Sequence, residues 1–201
     1  MRAKCDRCGF ILERCLCDHL SPVANNTTLI ILQHPSEKKH ALNTVKLMEK
    51  IFVKIHLFSG EHFQEDETLL ELLKSEKTAL LFPGPDSEWL HSENRPNYTQ
   101  LILLDGTWKK AKKLYYLNSF LHSLPKISLK SETPSLYRIR QSKVENSLST
   151  LEAAVAALEV LEPGLDCRSA LSAFKKMIDT QIEKMGSDVF TSNYQNKKGD
   201  E

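Results

Sequence analysis

Short continuous apolar runs alternate along this chain with longer stretches of helical spacing. "TTLIILQHP" (27–35) is apolar without alternation, the pattern of a strand buried on both faces. "SEKKHALNTVKLMEKIF" (36–52) sets Ala41, Val45, Met48 and Phe52, with Leu42 beside them, at helical spacing. "KIHLF" predicts a second strand, "DETLLELLKSE" a helix, and "TALLFPGP" a buried strand ending at a Pro-Gly-Pro turn. "QLILLD" (100–105) is the next strand and "TWKKAKKLYYL" the next helix, while "KISLK" and "YRIRQ" are shorter strand candidates. "STLE" is a capping box, with Ser149 as N-cap and Glu152 reaching back from N3. The helix it opens runs to about Leu161 and stops at Pro163-Gly164. A last amphipathic helix turns Leu171, Phe174, Met177, Ile178 and Ile182 to the core and ends near Gly186; a polar, mobile tail follows over 187–201.

Apolar strands alternating with helices mean an α/β domain with a mainly parallel sheet flanked by helices. Ligands of such sheets bind beyond the carboxyl ends of the strands. That rule selects Gln33, His34 and Pro35 after one strand, residues 82–85 after another, and residues 105–108 after a third.

Length and composition add bounds. With 201 residues the chain holds one well-buried domain and a small appendage. No apolar run reaches the roughly 18 residues needed to span a bilayer, and "MRAKCDRC" is not a signal-peptide start, so a cytoplasmic location is expected. The formal net charge of +1 advertises no polyanion partner by itself, but the charges are unevenly placed. Nine Lys or Arg residues fall between Lys109 and Lys143 against one acid, Glu132, while acids gather over 61–76. A local phosphate or nucleic-acid site fits this distribution as well as a solvated lysine face does. Local helix rules tip the balance. Lys109 and Lys110 lie in or near a first helical turn, where the macrodipole disfavours cations, and Lys109 and Lys113 form a like-charge i,i+4 pair. Phosphate binding accounts for both violations.

Four of the five cysteines, Cys5, Cys8, Cys15 and Cys17, form C-x2-C-x6-C-x-C, which brings four thiolates to one tetrahedral centre as structural zinc requires. Gly9 permits the tight turn that aims backbone N–H groups at sulfur. Asp18 and His19 follow and compete with Cys17 as ligand; Cys167 stands alone and reads as a small buried side chain.

At the strand ends, Asp105 and Thr107 are each a possible N-cap of the following helix. Trp108 shares a core-like stripe with Ala111 and Tyr115, where Tyr115 stays open between core and base stacking. His34 reads as a satisfied strand-end histidine or a site residue, and Glu37, Asn43 and Thr44 as surface helix positions. Arg138 and Arg140, two apart on a strand, share a face and suit an RNA backbone or a substrate carboxylate. No G-x-G-x-x-G, Walker or G-x-S-x-G motif is present, which removes most dinucleotide, P-loop and nucleophile-elbow readings.

"DGTW" (105–108) resembles the D-x-T-W signature of the DTW-domain proteins, the tRNA-uridine aminocarboxypropyltransferases. The cysteine knuckle, "QHPSEKKHALNT", "LFPG", "YRIR" and "LSTLEA" resemble further blocks of that family in family order, over about residues 5–155. The resemblance implies S-adenosylmethionine as co-substrate, transfer of its 3-amino-3-carboxypropyl group to N3 of a tRNA uridine, and methylthioadenosine as by-product. It implies a SPOUT-like fold with a knotted C-terminal part, organised as a zinc knuckle (1–20), a catalytic domain (27–186) and the tail. By the same likeness Asp105 and Thr107 are catalytic, and Leu81, Phe82, Gly84, Asp105, Ser149, Thr150 and Leu151 bind the cofactor. His34, Lys109, Lys110, Lys112, Lys113, Arg138 and Arg140 face tRNA or substrate, and Cys5, Cys8, Cys15 and Cys17 hold a structural zinc. Whether Asp105 is a general base or an ionised binding group stays open, as does oligomeric state. The rival readings are a SPOUT-type RNA methyltransferase and a non-catalytic zinc-knuckle RNA-binding protein.

Overall fold

A computed structural model describes residues 3–39, 43–74, 77–93, 96–130, 135–137 and 148–192. Its frame is one sheet of six strands: β1 (Thr28–Gln33), β2 (Ile55–Ser59), β3 (Thr78–Leu81), β4 (Glu88–Trp89), β5 (Gln100–Asp105) and β6 (Lys126–Ser128). The strand order is β2-β1-β5-β3-β6-β4 and every pairing is parallel. The helices are α1 (Thr44–Ile51), α2 (Glu67–Leu73), α3 (Trp108–Leu117), α4 (Thr150–Leu161), α5 (Arg168–Met185) and the short α6 (Ser187–Phe190).

The continuous apolar runs are explained by burial on both faces. Leu29, Ile31, Leu101 and Leu103 pack with α1, α4 and α5, whereas Ile30, Leu32, Leu80 and Ile102 pack with residues of α2 and α3. Phe174 of α5, fully buried, anchors the larger cluster; truncating such a side chain costs about 3–5 kcal/mol.

Two expectations shift. The helix read over 36–52 is not continuous from Ser36: residues 35–39 form a 3-10 turn, and α1 starts at Thr44 behind an Asn43 N-cap whose side chain accepts from the Lys46 N–H. Asn43 stops the backbone because a capping side chain satisfies an orphan donor better than a surface helix position does; Ala41 and Leu42 lie outside the described residues. The "YRIRQ" strand likewise lies outside them, apart from Tyr137, which is in no strand. Past Gly186, where a mobile tail was expected, α6 buries Phe190 against the core.

Crossovers place the site. After β1 the chain passes through α1 on one face to β2; after β5 it passes through α3 on the other face to β6, on the opposite side of the sheet. β1 and β5 are neighbours, so their connections diverge and leave a crevice at their carboxyl ends, where open parallel sheets bind ligands.

Candidate active site

Gln33 and Asp105 are the last residues of β1 and β5 and stand opposite each other in register. Both are buried. The Gln33 Nε2 donates to Asp105 Oδ2 at 2.8 Å, and the Thr150 hydroxyl, from the first turn of α4, donates to Oδ1 at 2.5 Å. The His34 N–H donates to the Asp105 carbonyl at 3.0 Å. Gln33 Nε2 also lies 3.4 Å from Oδ1 of Asn43, so the α1 cap joins the same network. Gly106 lets α3 fold back directly: a Cβ there would lie 2.9 Å from Lys110 Cβ.

Of the two cap readings of the D-x-T-W motif, the one for Thr107 holds in position only. Thr107 occupies the N-cap position of α3, yet its side chain makes no cap hydrogen bond and is exposed. Asp105 turns its carboxylate to Gln33 and Thr150. Thr150, grouped above with the cofactor pocket, is thus the threonine that touches Asp105. Ser149 is buried as the N-cap of α4, and Leu151 is buried in the core.

A ring of charge surrounds this pair. The imidazole of His34 is held from both sides: Nδ1 accepts from the Ser36 N–H, and Nε2 lies 2.9 Å from Glu61 Oε1. Glu61 also pairs with Lys113 at 2.5 Å, and Glu37 with Lys110 at 2.6 Å. The Lys113 ammonium, with His34 behind it, holds the Glu61 carboxyl below the ordinary carboxylate range. Buried Asn118 fixes the Glu61 loop, accepting from the Phe63 N–H at 2.7 Å and donating to the Glu61 carbonyl at 2.9 Å. Two of the four lysines are therefore neutralised locally, while Lys109 and Lys112 are exposed.

Beyond β3, Leu81 and Phe82 are half-buried. The Phe82 ring stacks on Tyr115 at 4.8 Å and lies 6.4 Å from Trp108, which is half-buried. Gly84 sits in an exposed loop where its N–H donates to Ser87 Oγ. Arg138 and Arg140 lie outside the described residues. The segment leading to them is tied down: buried Glu152 accepts from Ser135 Oγ and from the Leu136 N–H at 2.6 Å, while completing the capping box with Ser149. Glu152 thereby both caps α4 and anchors residues 135–137, a role spacing alone does not signal.

The cysteine cluster is separate. The Sγ atoms of Cys5, Cys8, Cys15 and Cys17 all lie within 4.8 Å of one another, with closest separations of 3.5–3.8 Å. A tetrahedral centre with Zn–S bonds of about 2.3 Å requires separations of about 3.8 Å. Gly9 takes φ +70°, and backbone N–H groups of Cys8 and Arg7 lower the Cys5 thiol to about 6. Neighbouring sulfurs of Cys15 and Cys5 push Cys17 up to about 12, a crowding of thiols that a bound cation relieves. The donor set fits zinc. No helix among the described residues is long and apolar enough to cross a membrane.

A model of the DTW domain matches residues 2–182. The chain belongs to the DTW-domain family. Within it, the chain is 36% identical over 174 residues to mouse tRNA-uridine aminocarboxypropyltransferase 2, covering 80% of this chain and 57% of the mouse protein. The like-named Drosophila melanogaster protein is 35% identical over 179 residues, covering 85% of this chain and 71% of the relative. Arabidopsis thaliana tRNA-uridine aminocarboxypropyltransferase A is 31% identical over 133 residues, 56% of this chain and 50% of that protein. The chain thus spans 57% of the length of the mouse and macaque relatives. No solved structure gives a significant match to this DTW-domain chain.

Proposed function

We propose that the protein transfers the 3-amino-3-carboxypropyl group of S-adenosylmethionine to N3 of a tRNA uridine and releases methylthioadenosine. The observation that carries this reading is the buried carboxylate of Asp105, in a D-x-T-W motif, held by Gln33 and Thr150 at the sheet crevice. The names of the family relatives support it. So does the chemistry of the surroundings. An acid suits the ammonium of the co-substrate, the N-termini of α3 and α4 suit its carboxylate, and half-buried Phe82 and Trp108 suit an adenine ring.

When bound, S-adenosylmethionine supplies a carbon already activated by its sulfonium. The N3–C bond forms as the C–S bond breaks, the electron pair leaves on sulfur, and the N3 proton passes to solvent water. Both Asp105 oxygens accept hydrogen bonds, which favours an ionised carboxylate. Asp105 on this reading orients the ammonium or the N3–H, and alignment of the two reactants supplies much of the rate. A general-base role would give kcat/KM a carboxylate-range inflection that disappears in Asp105→Asn. Cys5, Cys8, Cys15 and Cys17 would hold zinc away from the reacting atoms, as a structural centre. The reading carries a SPOUT-like, knotted catalytic part over 27–186 and a cytoplasmic setting with it.

The test is incubation with S-adenosylmethionine and unmodified tRNA, followed by mass spectrometry of both products. Methylthioadenosine with aminocarboxypropyl-uridine supports the proposal. Adenosylhomocysteine with a methylated nucleoside replaces it with a methyltransferase, and neither product with tRNA still bound replaces it with a binding protein. Asp105→Asn is expected to lower turnover by about 100-fold or more while tRNA affinity stays within about two-fold.

A further inference from the structure

The four lysines of α3 divide by partner: Lys110 and Lys113 are matched by Glu37 and Glu61. Lys109 and Lys112 are exposed, and neither has an ion-pair partner among the described residues. Together with Tyr116 they fall at i, i+3 and i+7, which places all three on one stripe of the helix. Tyr116 is 72% exposed, the most exposed of the large hydrophobic side chains among the described residues. Its ring is not loose: it meets Tyr115 edge-on at 5.4 Å, and Tyr115 is itself stacked on Phe82 and packed against His122 at 4.6 Å.

The stripe thus presents an exposed aromatic ring, met edge-on by Tyr115, beside two ammonium groups that have no ion-pair partner among the described residues. It matches what a strand of nucleic acid offers: phosphates at regular intervals and a flat base between them. Seven helical residues rise about 10 Å, comparable with three nucleotides of a stacked strand at about 3.4 Å each. The helix starts three residues after Asp105, so the stripe leads away from the crevice.

We infer that Lys109, Lys112 and Tyr116 form the track on which an unpaired stretch of RNA enters the site, two phosphates on the lysines and one base stacked on Tyr116. Lys110 and Lys113 instead hold the Glu37 and Glu61 loops against α3. This deepens the proposed function, on which it rests for the identity of the RNA as tRNA. A duplex does not satisfy the track, because its bases are already stacked and paired.

The test measures binding of an unmodified tRNA transcript, without S-adenosylmethionine, over a series of NaCl concentrations. Replacing both lysines, Lys109→Gln with Lys112→Gln, is expected to reduce the slope of log K against log salt by about 1.4, or about 0.7 per lost contact. Tyr116→Ala is expected to weaken binding about five-fold or more with the slope unchanged, and Tyr116→Trp to restore it. A single-stranded uridine-rich oligomer competes and a blunt RNA duplex of equal length does not. All three positions are exposed, so thermal unfolding serves as the folding control, and charge reversal of the two lysines as a second variant pair. An unchanged slope in both lysine variants, unchanged affinity in Tyr116→Ala, or equal competition by duplex overturns the track. The product assay run in parallel separates the two ideas. Aminocarboxypropyl-uridine formed by enzyme whose binding ignores these substitutions leaves the transfer and removes the track. Substitution-sensitive binding without product leaves the track and removes the transfer.

Discussion

The Asp105 carboxylate accepts hydrogen bonds from side chains 72 and 45 positions away in sequence, Gln33 and Thr150. A hydrogen bond to a charged group contributes about 1.5–3 kcal/mol, so each partner holds the carboxylate in place. Thr150→Val removes one donor while keeping the shape of the side chain. It is expected to lower methylthioadenosine release by about 10–100-fold, with Thr150→Ser restoring most of it. Equal loss in the serine variant would assign the effect to the methyl group and remove the hydrogen-bond role. Asp105 is legible in the sequence because a motif and a strand end coincide on it. Gln33 is marked by the same strand-end rule and Thr150 by the family likeness, but neither signal marks them as partners of Asp105. What joins them is register, which no local pattern carries. Glu37 and Glu61 were hidden for a related reason: a carboxylate in a polar loop looks solvated until the lysine it meets is known.

At the scale of elements, α3 is a helix whose sequence violates local rules, and its partners account for part of the violation. The unfavourable cations of its first turns are compensated across space by Glu37 and Glu61 rather than along the helix. The Glu61 pair gives a pH signature with a definite sign. Its carboxyl is lowered in the folded state by Lys113 and His34, so the stabilisation is complete above the unfolded carboxylate pKa, about 4.3, and is lost as pH falls through the lower folded value. The denaturant midpoint of the wild type should exceed that of Glu61→Gln at pH 7 and converge with it towards pH 3. High salt should narrow the gap at pH 7, since the pair is partly exposed. A gap that widens in acid would refute the pairing. The capping box of α4 is read correctly from four letters because all of its atoms are local. The start of α1 is misread because apolar spacing extends on both sides of a cap that only Asn43 marks.

For the whole molecule, the cysteine knuckle is built into the body of the fold. Leu16 is buried in the main core, Arg14 donates to Gln181 of α5 at 2.6 Å, and Glu13 pairs with Lys184 at 2.6 Å. Lys46 of α1 donates to the Gly9 carbonyl and lies over the Phe10 ring at 4.6 Å. Loss of the metal should therefore reach α1 and α5. Purified protein is expected to carry about one zinc per chain, and chelation or Cys8→Ser to lower Tm by several degrees, about 2–4 °C for each kcal/mol lost. Metal-free protein with an unchanged Tm would make the cluster a set of reduced thiols. The α/β class, the parallel sheet and the helices on its faces follow from the alternation of patterns. Strand order does not, because parallel crossovers of similar length lead to either side of a sheet, and two-residue β4 is too short to leave a pattern.

That order bears on how the protein is made. β1 and β3 are never bonded to each other; each is bonded to β5, which is synthesised after both. At roughly 5–20 residues per second, the 24 positions from Leu81 to Asp105 take a ribosome about 1–5 s. Through that interval the nascent chain carries two apolar strands with a gap one strand wide between their final places, and bare strand edges are the usual template for aggregation. The strand that closes the gap is the one that brings Asp105, so the vulnerable period of biogenesis ends as the site acquires its carboxylate.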